Sequence, residues 1–109
     1  MSAKIKTSQA IDQMVKRITR RFNPDKIILF GSHARGDAGP DSDVDLLIVM
    51  RVKGANRDKA LDIRGALRGI NVPKDIIVTT PEDFAWRKDI VGTIEHPAAR
   101  EGRLLHART

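Results

Sequence analysis

A chain of 109 residues is long enough for one hydrophobic core and too short for two, so a single domain over residues 1–109 is expected. With 40% hydrophobic and 4% aromatic residues that core is mostly aliphatic, and the absence of cysteine excludes disulfides, thiolate zinc sites and thiol nucleophiles. The formal charge of +6 favours anionic partners (nucleotide, nucleic acid or an acidic protein surface), with solubility alone as the plain alternative; the basic residues are dispersed, which weakens a dedicated nucleic-acid patch.

From Ser8 to Arg21 the apolar residues Ile11, Met14, Val15, Ile18 and then Phe22 recur at three- and four-residue spacing, which predicts an amphipathic helix. Its other face carries Lys16, Arg17, Arg20 and Arg21, a solvated face or a surface for a partner. Asn23-Pro24-Asp25 ends it. Lys26–Phe30 reads as a short buried strand, Ser32–Arg35 as one turn of helix after a glycine, Asp37–Asp41 as a loop, and Asp43–Met50 as a second strand. After the loop Lys53-Gly54-Ala55, Asn56 is the expected cap of a helix whose core stripe is Ala60, Ile63, Leu67 and Ile70, ending near Gly69-Ile70-Asn71 before Pro73. Lys74–Thr79 is a third strand. Thr80-Pro81-Glu82-Asp83 then opens a helix with a threonine cap, proline at the first position and an acid three residues after the cap. That helix is expected to run through Phe84, Trp86, Ile90, Val91 and Ile94 to His96, stopped by Pro97, with Trp86 in the core rather than serving as a stacking platform. The tail from Glu101 to Thr109 offers a short edge strand at Arg103-Leu104-Leu105-His106. The succession predicts an α/β (α+β) domain with helices against a small mixed sheet.

No apolar run approaches the roughly 20 residues needed to span a bilayer. The opening Met1-Ser2-Ala3-Lys4-Ile5-Lys6 lacks the apolar core of a signal peptide, so a cytoplasmic protein is expected.

Chemistry concentrates at Gly31-Ser32-His33-Ala34-Arg35-Gly36 and Ser42-Asp43-Val44-Asp45, a glycine turn and two acids between the first two strands. Asp43 and Asp45, two apart on a strand, share a face at roughly 6–7 Å. Oxygen-only ligands suit Mg²⁺ or Mn²⁺, which also binds substrate phosphates; the bland alternative is a pair of loop-edge acids that cap amides or pair with Arg35. Gly31 lets the backbone approach a ligand, Ser32 offers a hydroxyl and an N–H, and Arg35 lies one turn on, within reach of the same phosphates. Asp75 opens the third strand. If that strand neighbours the second it joins the two acids; otherwise it is an exposed acid paired with Lys74 or Lys26.

Gly31-Ser32-x-Ala34-Arg35-Gly36 followed by Ser42-Asp43-x-Asp45-Leu46-Leu47-Ile48-Val49 resembles the signature of the DNA polymerase β-like nucleotidyltransferases, and more narrowly the minimal nucleotidyltransferase (MNT) group. The resemblance covers most of the chain, from the first helix to the Glu101-Gly102-x-Leu104-Leu105 tail. It implies a polymerase β-like fold and transfer of a nucleoside monophosphate, AMP from the donor ATP, to a hydroxyl with release of pyrophosphate. Asp43, Asp45 and Asp75 match the family's metal-binding acids, the last also the candidate base; Gly31 and Ser32 match the phosphate-holding residues, joined by Arg35 and Gly36. Two Mg²⁺ ions would stabilise the attacking and leaving oxygens. His33 falls at a variable position and reads as an exposed turn residue. Larger relatives carry a second domain for the acceptor, which a chain of this size is expected to meet in trans. The group resembles the antitoxins of HEPN/MNT toxin–antitoxin pairs, so a HEPN ribonuclease toxin modified on a tyrosine is the implied partner. A non-catalytic antitoxin that acts by covering its partner, and transfer to a small-molecule hydroxyl of antibiotic type, are the alternatives. Direct nucleic-acid binding comes last, because no aromatic platform interleaves the charges.

Overall fold

The structure is a computed structural model that describes residues 6–108. The leader expectation falls on residues outside the described ones, apart from Lys6, as does the tail's last residue, Thr109.

Helix α1 (Thr7–Phe22) buries Met14 and Ile18 of the expected stripe together with Ala10, while Ile11, Val15 and Phe22 are half-buried against the same core. Asn23 ends it in the left-handed conformation, its N–H bonded to Thr19 O, and Pro24 prevents continuation. There follow β1 (Lys26–Phe30), the single turn α2 (Ser32–Arg35), β2 (Val44–Val49), α3 (Asn56–Ala66), β3 (Lys74–Thr79), α4 (Pro81–Arg87), α5 (Glu95–Glu101) and β4 (Arg103–Ala107). The strands form one mixed sheet in the order β3-β2-β1-β4: β1 is antiparallel to β2 and β4, whereas β2 and β3 are parallel, joined by the α3 crossover.

Strand alternation divides the core. Ile27, Leu29, Val44, Leu46, Ile48, Ile76 and Val78 pack under α1 and α3; Ile28, Leu47 and Val49 pack with Phe84 of α4 and Ala98 of α5 on the other face. Leu46, Leu47 and Ile48 are fully buried, each worth about 1.5–3 kcal/mol of transfer free energy. Such a continuous apolar run is what a central strand covered on both faces requires. By the same alternation Asp45 and Asp75 stand on the second face, in line with Phe30.

Several expectations change. Ala55, not Asn56, is the N-cap of α3, and no side chain caps that helix. The helix ends at Ala66; Arg17 of α1, expected on a solvated or docking face, donates to Ala66 O and Arg68 O at 3.4 and 2.8 Å. Leu67 and Ile70 stay buried in the turns that follow. The single helix expected from Thr80 to His96 is two. Thr80 caps α4 as expected, accepting from Asp83 N–H at 3.1 Å. The chain then breaks, with Gly92 at φ 100°, and Pro97 is the third residue of α5 rather than a stop. First-turn N–H groups have no intrahelical acceptor, so proline there removes no bond. Trp86 is 56% exposed, its Nε1 donating to Asp83 Oδ1. Phe84, two residues earlier and on the opposite side of the short helix, takes the core position.

Candidate active site

Where β1 ends, the chain turns at Gly31 with φ 73° and ψ −156°, a conformation open in practice only to glycine. The turn α2 follows, closed by Arg35 N–H on Gly31 O and ended by Gly36 at φ 85°, whose N–H returns to Ser32 O. The motif's two glycines therefore sit where a side chain would be strained. Gly31 has a second reason: a Cβ there would overlap Asp45 Oδ2. The backbone of the turn and the carboxylate of β2 are in van der Waals contact, which the sequence motif requires but does not reveal.

The ladder brings the distant acid in. Asp45 is in register with Phe30 of β1 on one side and with Asp75 of β3 on the other, and Asp43 lies two residues upstream, just before β2. Asp45 is half-buried; Asp43 and Asp75 are exposed. Asp45 holds its proton more tightly than an ordinary carboxyl, first because burial strips its water and then because Asp75 and Asp43 repel its charge; His33 and Arg35 offset this in part.

The ion pairs of the plainer readings do not form. Lys74 Nζ, its pKa lowered by burial and by Arg64, donates to Ile70 O at 2.9 Å, and Lys26 Nζ lies over the Phe84 ring. Neither neutralises Asp75. Arg35 reaches Asp37 at 3.3 Å and Glu101 at 3.7 Å instead of Asp43 or Asp45. Both of those pairs are solvent-exposed and worth little, so Arg35 is free to exchange them for a phosphate. Among the described residues, Asp43, Asp45 and Asp75 form no ion pair.

His33 departs from its expected place. It is half-buried, with Nε2 3.0 Å from Ser42 O. A carbonyl only accepts, so Nε2 carries the proton and donates. The ring thus ties α2 to the segment that delivers Asp43, while Ser42 Oγ accepts from Gly39 N–H at 2.9 Å. Nothing in the local pattern marks this contact, which spans nine residues.

The donor set fits a hard divalent cation: oxygen ligands alone, with one carboxyl whose ionisation its neighbours oppose and a cation would favour. Among the described residues no three His, Cys, Asp or Glu side chains converge into a ready-made cage. Asp45 and Asp75 lie side by side where β2 and β3 begin, with Asp43 just before β2, rather than closed around a point.

Residues 11–98 match the family defined by the nucleotidyltransferase domain, and the chain belongs to that family. It is a nucleotidyltransferase. Two curated relatives from Methanocaldococcus jannaschii each carry the name "Putative protein adenylyltransferase". One is 35% identical over 101 residues, covering 90% of this chain and 96% of the relative. The other is 40% identical over 55 residues, covering 50% of this chain and 54% of its own length. Among solved structures, "a putative nucleotidyltransferase from Sulfolobus solfataricus" superposes with a TM-score of 0.65 at 23% identity, over 99% of this chain and 94% of that one. The toxin–antitoxin MntA-HpeT gives 0.57 at 13% identity, covering 90% of this chain and 73% of that one. A toxin–antitoxin structure with AMP-PNP gives 0.56 at 16%, covering 90% and 74%. These likenesses establish the fold. No helix among the described residues is long and apolar enough to cross a membrane.

Proposed function

We propose that this chain moves AMP from ATP onto a hydroxyl of a partner protein, a tyrosine of a HEPN ribonuclease toxin, and thereby acts as its antitoxin in the cytoplasm. The observation that carries the reading is the alignment of Asp75 with Asp45, two residues from Asp43, against a glycine turn that leaves room for the Asp45 carboxylate. The names of the curated relatives, and the toxin–antitoxin pairs among the structural neighbours, support the acceptor class.

Ser32 and Arg35 hold the triphosphate, Arg35 by giving up its exposed pairs with Asp37 and Glu101. Gly31 and Gly36 shape the backbone around it. Asp43, Asp45 and Asp75 would hold the divalent ions, Mg²⁺ or Mn²⁺. Once bound, such ions would neutralise charge on the phosphates and lower the pKa of the attacking hydroxyl. Asp75, exposed at the head of β3, takes the proton from the acceptor. The acceptor oxygen bonds to the α-phosphorus and pyrophosphate leaves, so the protein's main contributions are positioning and charge.

The test is incubation with labelled ATP, Mg²⁺ and the protein encoded beside this one, followed by mass analysis. The expected result is an added AMP on a tyrosine of that protein, lost with Asp43→Asn/Asp45→Asn at unchanged thermal stability or better. Neutralisation of the partner without label under any condition would refute catalysis and leave an antitoxin that acts by binding.

A further inference from the structure

The two edges of the sheet differ. At β4 the pairing with β1 is broken by a register shift, and such irregularity discourages a further strand. At β3 the edge is regular, with no proline or bulge between Lys74 and Thr79. Val44 N–H donates to Pro73 O at 2.8 Å and Met50 N–H to Thr79 O at 3.0 Å, so residues 73, 75, 77 and 79 direct their backbone groups at β2. The N–H and C=O of Lys74, Ile76 and Val78 therefore face away from the sheet, and among the described residues no backbone group meets them. Beside this edge runs a groove of about 300 Å³, walled by Asn56, Arg57 and Ala60 of α3 and by Ile76, Ile77 and Val78. Its lining is apolar apart from Asn56 and the cation Arg57.

We infer that the free edge of β3 is the acceptor-docking surface: an extended, acid-flanked polypeptide segment pairs with it as a fifth strand and presents its hydroxyl residue beside Asp75. This rests on the proposed nucleotidyl transfer to a protein and says how the acceptor reaches the site. Backbone pairing supplies the binding and the groove receives alternate side chains. Arg57, in a chain of net charge +6, selects an acidic flank.

Register does the rest. Phe30, Asp45 and Asp75 form one row across β1, β2 and β3. A segment paired with β3 extends that row, and its residue opposite Asp75 projects on the same face about 5 Å away. The hydroxyl proton passes to the Asp75 carboxylate. The hydroxyl oxygen bonds to the α-phosphorus of the nucleoside triphosphate as the α–β phosphoanhydride breaks, and pyrophosphate leaves with the bonding pair.

The test uses a short synthetic peptide of alternating valine and threonine, with one central tyrosine and glutamates at one end. It is added in excess to the full chain with ATP and Mg²⁺, and amide exchange is followed residue by residue. Docking predicts that exchange at Lys74, Ile76 and Val78 slows about tenfold or more, while Asp75, Ile77 and Thr79, already bonded to β2, change little. Arg57→Glu weakens that protection several-fold. Protection elsewhere, or none, overturns the inference, as does a free chain already protected at this edge and dimeric in solution. AMP on the tyrosine without edge protection overturns the docking and leaves the proposed transfer intact. Edge protection without AMP supports the docking and counts against a protein acceptor.

Discussion

Replacing Gly31 by alanine tests the contact on which the site is built. The residue has φ 73° and ψ −156°, where a non-glycine costs about 1–3 kcal/mol. The new methyl also lands on Asp45 Oδ2, so the carboxylate must leave its rotamer at a further cost of about 0.5–1.5 kcal/mol. The sum, about 1.5–4.5 kcal/mol, is a large share of the stability of a small domain and lowers the melting temperature by roughly 5 °C or more. The two terms separate in a double-mutant cycle. In an Asp45→Ala background the overlap is gone and only the backbone cost remains, so Gly31→Ala is less damaging there by about 1 kcal/mol. Chemical denaturation of the four proteins measures this. Activity should fall with Gly31→Ala alone by more than stability explains, because the displaced carboxylate is a proposed ligand. An equal loss of stability in both backgrounds would refute the idea that glycine is there to make room for Asp45.

Asp45→Asn should raise thermal stability near neutral pH while abolishing transfer. Because the folded pKa lies above the ordinary 3.8, the native state binds the proton more tightly than the unfolded chain. Ionised Asp45 therefore disfavours the fold at neutral pH, and stability recovers as pH falls through the folded pKa, with no further gain once pH drops below 3.8. Melting curves across that window should show the recovery in the parent and a flatter profile in the variant; identical profiles would count against a strained carboxyl. His33→Ala removes the donor to Ser42 O, worth about 1 kcal/mol, and loosens the segment carrying Asp43. Turnover should fall in that variant and partly return in His33→Gln, which keeps a side-chain donor; unchanged kinetics in both would remove His33 from the site.

Local pattern determined much of this protein. The apolar stripe of α1, the runs of β1 and β2, the Thr80-Pro81 opening of α4 and the Gly-Ser turn before Asp-x-Asp are each written in neighbouring residues, because caps, turns and periodicity act over a few positions. Strand parity fixes the face of Asp45; Asp43, read as the first residue of that strand, lies just before it. At Pro97 two local signals compete: it reads equally as the end of one helix or the first turn of the next, and only the packing of Ala98 in the cluster with Ile28 and Leu47 decides for the latter. Trp86 and Phe84 are both large and apolar, and only the packing shows that Phe84 is the one in the cluster on that face. What the tertiary structure alone decided is which residues meet at the candidate site. Parallel pairing sets Asp75 beside Asp45 across thirty residues of chain, the His33 ring reaches Ser42, and Asp45 presses on Gly31. Each of these depends on strand register, and register follows from burying both faces of β2 at once, a condition no single segment can state.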